Sequence, residues 1–431
     1  MERSVARVVD VVHASRVRCS LALAGGGARA LAWLIARPNA SKTLIECAAP
    51  YAREATDALL GLDRRVSSYA SAACAEALSE AAYERAVRSG SSRTVDAARA
   101  RATVGLGAAC ALTSEDAREM RGDRRVFVCA TGVFGKRTYE LRMDRESGRT
   151  RWEEDERASR LVLSALLDAA ETFGGDEGSD GVRAMETPDL LREDGVLSEA
   201  ELEGLRMTRR DRFPEARGEG ARAVVERWLA LEARDGSNSL EFTGGELTAV
   251  GATRANVILS GSFNPLHEGH RELLAAATAS APPGALGAYE ISVTNADKGA
   301  LSLDEIMRRF EQFTDPDAVL VLTKEPLFVN KARVVPGASF VVGVDTAVRL
   351  LDPKYSGSDA ALAASLDVIR ANSCDFIVAG RLDRATGAFV SPDDVSRRAA
   401  AVGAAALFRP LPDFRVDLSS TEIRERASRR T

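Results

Sequence analysis

The 431-residue sequence has no apolar run of the length that crosses a membrane. A spanning helix needs roughly 18 to 20 consecutive apolar residues, and no stretch of this chain approaches that length. The chain also has no strong excess of one charge, because 58 Lys and Arg residues stand against 63 Asp and Glu residues, for a net charge of −5. This balance gives no general attraction to phosphate backbones or anionic lipid. We therefore expect neither a nucleic acid nor a membrane as a partner.

Cysteine is scarce and lacks paired spacing. None of the six cysteines forms a CxxC pair, and five of them lie in hydrophobic or Ala-rich segments of the first third. Buried, reduced thiols fit this distribution, so we expect an intracellular, cytoplasmic protein and predict no metal-binding residues. The Arg-rich residues 1–18 leave an organelle transit peptide open as an alternative. The spacing of Val5, Val8, Val11 and Val12 equally fits an amphipathic helix that opens the first domain.

The length of the chain predicts more than one domain, because a single core stops growing near roughly 250 to 300 residues. Residues 1–173 alternate Ala-rich helical stretches with short apolar runs, which predicts an α/β domain. A run rich in Gly and acidic residues at 174–181 then interrupts this pattern and favours a linker. We predict a linker and helical connector over residues 174–255 and a second domain over residues 256–431.

Short apolar runs recur at intervals in the predicted second domain. They are NVILSG, AYEISV, AVLVLT, SFVVGV, DFIVAG and AALFRP, and helical segments separate them. Runs of this kind predict the buried parallel strands of a doubly wound, Rossmann-like sheet. Ligands of such sheets bind at the carboxyl ends of the strands.

The chain holds only three histidines, and two of them lie within the segment GSFNPLHEGH at residues 261–270. This segment leaves a predicted strand and enters a helix that begins near Glu268. Gly261 and Ser262 permit close approach of the backbone, and the helix N-terminus offers N–H groups and a positive dipole end to an anion. Imidazoles at this position can bind the α-phosphate of a nucleoside triphosphate and stabilise charge that develops on the departing pyrophosphate.

The segment resembles the HxGH loop of the nucleotidylyltransferase superfamily, which includes mononucleotide adenylyltransferases, phosphopantetheine adenylyltransferase and cytidylyltransferases. A second segment, DLSSTEIRER at residues 417–426, resembles the ISSTxxR motif of that family, with Leu418 in place of Ile. Its S-x-x-E spacing is that of a capping box, which starts a helix. The two segments are about 150 residues apart along the chain. For either segment alone, a surface turn or a simple helix cap is the alternative.

The resemblance implies a set of residues that act on the nucleotide. His267, His270 and Arg424 would be catalytic, with the imidazoles at the α-phosphate and the guanidinium at the β- and γ-phosphates. The residues that would bind the nucleotide are Gly261, Ser262, Phe263, Asn264, Gly269, Ser419, Ser420 and Thr421.

Three further residues are implied to bind the acceptor substrate or the ribose. Lys298 follows the strand AYEISV, and Gly343 and Asp345 lie in the segment FVVGVDT. The alternative for Lys298 is a solvated loop charge, and the alternative for Asp345 is a turn or helix cap at a strand end.

The first domain resembles the C-terminal domain of the CinA-type competence/damage-inducible family, known for nicotinamide mononucleotide deamidase activity. The resemblance begins in residues 21–61 and extends to about Phe173. Within it, VGLGAACAL at residues 104–112 falls where the family has a glycine-rich loop, and residues 126–130 are expected to form the strand that follows.

The residues of this first domain depart from the family's catalytic pattern. Ala24 stands where the family has its nucleophilic Ser and Thr56 where it has a Lys, while its Tyr is kept as Tyr51. A nucleophile needs an activated hydroxyl, so we expect no deamidase activity here. Residues 25–27 lack the GK[ST] and GxGxxG spacings, which favours tight helix packing over a phosphate cradle. We expect this domain to keep a pyridine-nucleotide-shaped pocket or to form a homo-oligomer interface.

Together these patterns predict an enzyme of the nucleotidylyltransferase class. It would move a nucleotidyl group from ATP to a phosphorylated small-molecule acceptor and release pyrophosphate, with Mg²⁺ carried by the ATP phosphates. The resemblance favours nicotinamide or nicotinate mononucleotide as the acceptor, which places the reaction in NAD biosynthesis. Cytidylyl transfer from CTP and adenylyl transfer to phosphopantetheine stay open as alternatives. A non-catalytic regulator that binds pyridine nucleotides is the alternative from another class.

Overall fold

The computed structural model describes residues 2–61, 64–89, 102–114, 123–173, 187–192, 196–211, 220–231, 238–295, 299–382, 389–411 and 414. These residues divide into two compact units, one before and one after residue 218. Both units are of the α/β class.

The first unit contains one mixed sheet. Its helices are α1 (Arg3–Ala14), α2 (Ala28–Ile35), α3 (Ala40–Thr43), α4 (Arg53–Leu60), α5 (Ala72–Ser89), α6 (Arg151–Phe173), α7 (Thr187–Arg192) and α8 (Glu199–Glu203). Its strands are β1 (Arg18–Ala24), β2 (Leu44–Ala48), β3 (Thr103–Ala111), β4 (Arg125–Gly132), β5 (Gly135–Arg142) and β6 (Arg206–Asp211). The strand order is β2-β1-β3-β4-β5-β6; β1 pairs in parallel with β2 and β3, and the remaining pairs are antiparallel.

The amphipathic helix predicted at the start of the chain is α1. Its Val5, Val8 and Val12 are buried in the core of the first unit, and Val11 packs against that core. The valines fall on one side because residues three and four apart share a helix face. Burial of this stripe against α6 fixes the helix to the unit.

The segment 104–112, predicted from the resemblance to be a glycine-rich loop, is a strand instead. It forms most of β3, which pairs with β1 on one side and β4 on the other. The physical reason lies in helix packing. A Cβ on Gly105 would lie 2.1 Å from the carbonyl oxygen of Ser79, and one on Gly107 would lie 2.3 Å from that of Ala75. Both glycines therefore let α5 pack directly on the backbone of β3. The strand predicted at residues 126–130 lies within β4.

The second unit contains a larger sheet and two short hairpins. Its helices are α9 (Ala221–Ala230), α10 (Glu268–Ala279), α11 (Leu303–Phe310), α12 (Phe328–Val334), α13 (Val344–Leu350), α14 (Pro353–Ser356), α15 (Asp359–Ala371) and α16 (Pro392–Ala401). The strands of its large sheet are β7 (Ser239–Thr243), β8 (Glu246–Val250), β9 (Val257–Ser260), β10 (Gly287–Ser292), β13 (Val319–Thr323), β14 (Ser339–Gly343), β15 (Asp375–Ala379) and β18 (Phe408–Pro410). The hairpins pair β11 (Thr294–Asn295) with β12 (Gly299–Ala300) and β16 (Arg381–Leu382) with β17 (Phe389–Val390).

The six predicted strands of the second unit all form and run parallel, which confirms the doubly wound fold. The order of the large sheet is β18-β15-β14-β9-β10-β13-β7-β8. Counted from β9, the parallel strands lie in the order 3-2-1-4-5-6, which is the Rossmann order. The order of connection reverses between β9 and β14, where Leu259 pairs with Val341. A crevice opens outside the carboxyl ends of two strands at such a reversal, and ligands of doubly wound sheets bind there.

The segment 174–255, predicted to be a linker and helical connector, is not wholly helical. Within it β6 pairs with β5 of the first unit, and β7 and β8 form an antiparallel hairpin on the edge of the second sheet. Glu241 of β7 is fully buried and accepts hydrogen bonds from the Arg254 Nε, at 2.8 Å, and from Thr248 and Thr253.

A buried ion pair fixes α12 to the second sheet. Nζ of Lys331 lies 2.7 Å from a carboxylate oxygen of Glu290 on β10, and the hydroxyl of Thr323 on β13 donates to the other oxygen. All three side chains are buried. Each charge therefore depends on its partner, because an unpaired buried charge is costly.

Among the described residues, no helix is long and apolar enough to cross a membrane.

Candidate functional site

The predicted site lies at the carboxyl ends of β9 and β14, on the crevice of the second sheet. Residues 261–267, here called the site loop, join the end of β9 to α10, and Gly343 ends β14 beside it. The N–H of Gly261 still donates to the carbonyl oxygen of Glu290 at 3.0 Å, so the loop leaves the sheet at Ser262. The strand order thus brings Gly261 and Gly343, which are far apart in sequence, to one edge.

The backbone of the site loop turns sharply at Phe263. This residue has a φ of 43°, in the left-handed region that side chains other than Gly rarely adopt. Its ring folds back over the start of the loop, because a Cβ on Gly261 would lie only 2.8 Å from two ring atoms. Gly261 is therefore needed for close approach of the Phe263 ring.

The ring of Phe263 is the packing centre of the site. It is 1% exposed and makes edge contacts with His270, Tyr289 and Phe313, at centroid distances of 5.0, 5.4 and 5.6 Å. Perpendicular arrangements of this kind favour aromatic pairs electrostatically. The predicted role of Phe263 was contact with the nucleotide. Its buried ring supports His270, and its contact with the nucleotide stays a prediction.

The two predicted catalytic histidines lie together at the start of α10. Their rings stack at a centroid distance of 3.7 Å and an angle of 23°. The backbone N–H of His267, the residue before the helix, donates to Nδ1 of His270 at 3.3 Å. The i, i+3 spacing produces this arrangement, since side chains three positions apart meet on one helix face.

Hydrogen bonding and burial together favour neutral imidazoles. With Nδ1 of His270 accepting from the backbone, the proton of the neutral ring is assigned to Nε2, which makes Nε2 a donor. Burial, and then charge repulsion from the neighbouring His267, lower the pKa of His270 to about 4. Burial also lowers the pKa of His267. Within the described part of the chain, Nδ1 of His267 is buried and has no hydrogen-bond partner.

The remaining predicted residues of the site loop and α10 differ in exposure. Ser262 is exposed, Asn264 is half-buried, and Gly269 is buried in the first turn of α10. The side-chain oxygen of Asn264 accepts a hydrogen bond from Arg308 at 2.9 Å. Ser262 is thus the loop residue that is open to a ligand, whereas Asn264 is already bound to a helix.

The predicted acceptor residues on β14 and α13 lie beside the crevice. Gly343 precedes α13, and a Cβ placed on it would meet nothing within 4 Å, so the space above it is open. Asp345 lies exposed in the first turn of α13. Lys298 lies outside the described residues, and so do the four predicted residues of the second motif, which are Ser419, Ser420, Thr421 and Arg424.

The first unit also has a strand-to-helix turn, between β1 and α2. Side chains of the same unit occupy this turn. The N–H of Gly27 donates to a carboxylate oxygen of Asp155 at 2.7 Å, at the N-terminus of α2. Arg151 donates to the carbonyl oxygen of Gly25 at 3.0 Å and to the hydroxyl of Tyr51 at 2.9 Å. A Cβ on Gly25 would lie 2.3 Å from the carbonyl oxygen of Cys110 on β3. The glycine run thus serves tight packing, as predicted.

The two positions that depart from the CinA pattern, Ala24 and Thr56, take part in local backbone structure. Ala24 ends β1, and the hydroxyl of Thr56 donates to the carbonyl oxygens of Pro50 and Ala52, at 3.2 and 3.3 Å. Tyr51 remains 75% exposed.

Among the described residues of both units, no group of three or more His, Cys, Asp or Glu side chains has the arrangement to hold a metal ion.

Comparison with known proteins assigns the second unit. Residues 258–426 match the model of the cytidylyltransferase-like family. This part of the chain is a cytidylyltransferase-like domain. The match covers both the segment with the two histidines and the second motif at residues 417–426, and it supports nucleotidyltransferase activity in general. No curated protein sequence matches the chain. The chain is also similar to a solved structure of a competence-damaged protein (CinA) superfamily member from Klebsiella pneumoniae, with 17% identity over 39% of this chain and 95% of that chain and a TM-score of 0.31.

Sequence reasoning missed two side chains of the cytidylyltransferase-like domain that hold the site loop. Arg308 and Gln312, at the end of α11, contact residues of the loop. The two residues stand four apart across the C-terminal end of α11, since Arg308 lies in its last turn and Gln312 lies two residues beyond it. That spacing was the available signal, but it points to the loop only when the position of α11 beside β9 is known.

Proposed function

We propose that the cytidylyltransferase-like domain transfers the adenylyl group of ATP to nicotinamide or nicotinate mononucleotide and releases pyrophosphate. The observation that carries this proposal is the stacked pair of His267 and His270 at the strand-order reversal of a Rossmann sheet. A phosphate bound there meets the N-terminus of α10 and an imidazole donor together. Both features favour binding and transfer of a nucleotidyl phosphate.

The imidazoles act as hydrogen-bond donors to the reacting phosphate. A phosphate oxygen of the acceptor attacks the α-phosphorus of ATP, the bond from that phosphorus to the bridging oxygen breaks, and the electron pair leaves with pyrophosphate. Nε2–H of His270 donates to an α-phosphate oxygen as charge builds in the transition state. Because the donor is a neutral ring, the step requires no proton transfer from His270. Mg²⁺ carried by the ATP phosphates would supply positive charge at the leaving group.

The other predicted residues complete the proposed site. Ser420, Thr421 and Arg424 are proposed to hold the β- and γ-phosphates, as the resemblance to the ISSTxxR motif implies. Lys298 and Asp345 are proposed to contact the acceptor. The open space above Gly343 supports entry of a substrate at this edge of the sheet.

A second candidate is cytidylyl transfer from CTP to a phosphorylated alcohol. The description of the matched family favours it. The site loop contacts phosphates, which ATP and CTP share, so the base is selected elsewhere. Measuring pyrophosphate release with ATP or CTP, each combined with nicotinamide mononucleotide, nicotinate mononucleotide, phosphocholine and phosphopantetheine, separates the candidates. If no pair releases pyrophosphate but a nucleotide binds, the non-catalytic regulator is correct instead.

The variant His270→Asn tests the proposed role of the imidazole. Removing a donor that acts in the transition state costs about 10²- to 10³-fold in kcat. The exposed Glu272 on the same helix supplies the matched control, since Glu272→Gln changes a side chain of α10 and leaves the imidazole pair intact. Equal turnover of His270→Asn and the wild type would refute the assignment.

A further inference from the structure

We propose that Gln312 is a positioning residue that holds the site loop, and through it the two imidazoles, in the geometry for phosphate transfer. The proposal rests on the proposed function. Gln312 follows α11, outside every motif that carried the sequence prediction. Its side-chain oxygen accepts from the backbone N–H of Leu266 at 2.8 Å, and its side-chain nitrogen donates to the carbonyl oxygen of Phe263 at 3.0 Å.

These two bonds hold the loop on both sides of its turn. Phe263 and Leu266 flank the residues 264–265, and Leu266 directly precedes His267. The backbone at Phe263 is in a region that costs free energy, so surrounding contacts must maintain it. Gln312 supplies two such contacts at the backbone, and packing of the Phe263 ring supplies another.

The chemistry of an amide suits this place. A primary amide presents one acceptor and one donor side by side, which matches the loop's N–H and C=O. An ionised carboxylate is an acceptor only, so in Gln312→Glu it would face the carbonyl oxygen of Phe263 without a proton between them. A protonated carboxyl again has one donor and one acceptor. The variant should therefore regain the wild-type pair of bonds when it is protonated.

Displacement of the loop reaches the histidines by direct contact. The ring of Phe263 lies against His270, and Leu266 is bonded covalently to His267. Arg308 ties the same helix to Asn264 at 2.9 Å. Loss of the Gln312 contacts thus frees the segment that sets the ring stack, and a shift of about 1 Å at a reacting centre can cost about 10²-fold in rate.

The test compares Gln312→Glu, Gln312→Leu and the wild type by pyrophosphate release between pH 5 and 8. We expect both variants to lose about 10- to 100-fold in kcat at pH 7.5, with KM for ATP changed by less than about 3-fold. The kcat of Gln312→Glu should rise as the pH falls toward 5, whereas that of Gln312→Leu should not. The control is Glu311→Gln, an exposed neighbour, which should match the wild type.

Imidazole NMR makes the result independent of activity. The ring signals of His267 and His270 should move in Gln312→Leu, while that of His13, in the first unit, should stay. If the wild type releases no pyrophosphate but these signals move, the proposed function fails and the positioning role of Gln312 stands. Wild-type kcat in both variants, a parallel pH response of Gln312→Leu and Gln312→Glu, or unmoved imidazole signals would overturn the positioning role.

Discussion

Acidification should leave His270 neutral over a range in which an ordinary histidine becomes charged. Burial, and then charge repulsion from His267, lower its pKa from 6.5 to about 4. At pH 5.5 an ordinary imidazole is about 90% protonated, but one with a pKa near 4 is about 3% protonated. Between about pH 6.5 and pH 4, His270 therefore binds fewer protons in the folded protein than in the unfolded chain.

The sign of the effect on stability follows from linkage. The unfolded chain binds a proton at this residue first, as the pH falls through about 6.5. The free energy of unfolding of the second unit thus has its full value above that pH and declines as the pH falls toward about 4, where the folded state is also protonated. Catalysis, unlike stability, should not depend on pH over this range. Because the neutral ring is the donor, kcat/KM should show no loss from His270 between pH 8 and 5.5.

Two-dimensional NMR of the imidazole nitrogens measures this directly. The chain has three histidines, so the signal of His270 is assigned by its disappearance in His270→Asn. In His267→Ala the pKa of His270 should rise, because a repelling neighbour is removed and the ring is less covered. A titration midpoint of His270 near 6.5 in the free protein would refute the reasoning, and so would a rate that follows a protonated imidazole.

Two further predictions concern the stability of each unit. Lys331→Met should lower the free energy of unfolding of the second unit by about 3 to 5 kcal/mol, because Glu290 stays buried without its cation. Adding Glu290→Gln should recover part of the loss in urea titrations; an equal or larger loss in the double variant would contradict the pairing. Gly105→Ala should destabilise the first unit by about 3 kcal/mol, since its Cβ would meet the backbone of α5 at 2.1 Å. Calorimetry measures this against Gly220→Ala, whose Cβ meets nothing within 4 Å and which should shift the melting transition much less, by the small cost of Ala at a helix N-cap.

The sequence predicted the second sheet well because its strands are continuous apolar runs. Parallel strands covered on both faces need such runs, and this pattern is visible without a structure. The hairpin of β7 and β8 was hidden for the opposite reason. Charged residues are mostly exposed in proteins, but Glu241 and Arg254 satisfy one another inside the fold. A single sequence does not show which charged residues will pair when buried.

The same difference separates the histidines from Gln312. Two of three histidines in ten residues form a pattern, and imidazole chemistry suggests its use. Glutamine is a common surface residue, and its role depends on the distance from α11 to the site loop. That distance is set by the packing of Phe263 against Phe313, which no local pattern predicts. Chemical groups were therefore visible in the sequence, and the contacts that orient them were not.

The strand-to-helix turns of the two units differ in one carboxylate, which lies at the helix N-terminus of the first turn. In the first unit Asp155, which is negatively charged as a phosphate is, accepts the N–H of Gly27 at the N-terminus of α2. An anion would have to displace this side chain. In the second unit the acidic residue of the first turn, Glu268, lies 3.7 Å from Arg271, and the stacked imidazoles occupy the loop side. The helix N-terminus thus serves packing in the first turn, and in the second it is proposed to bind a phosphate.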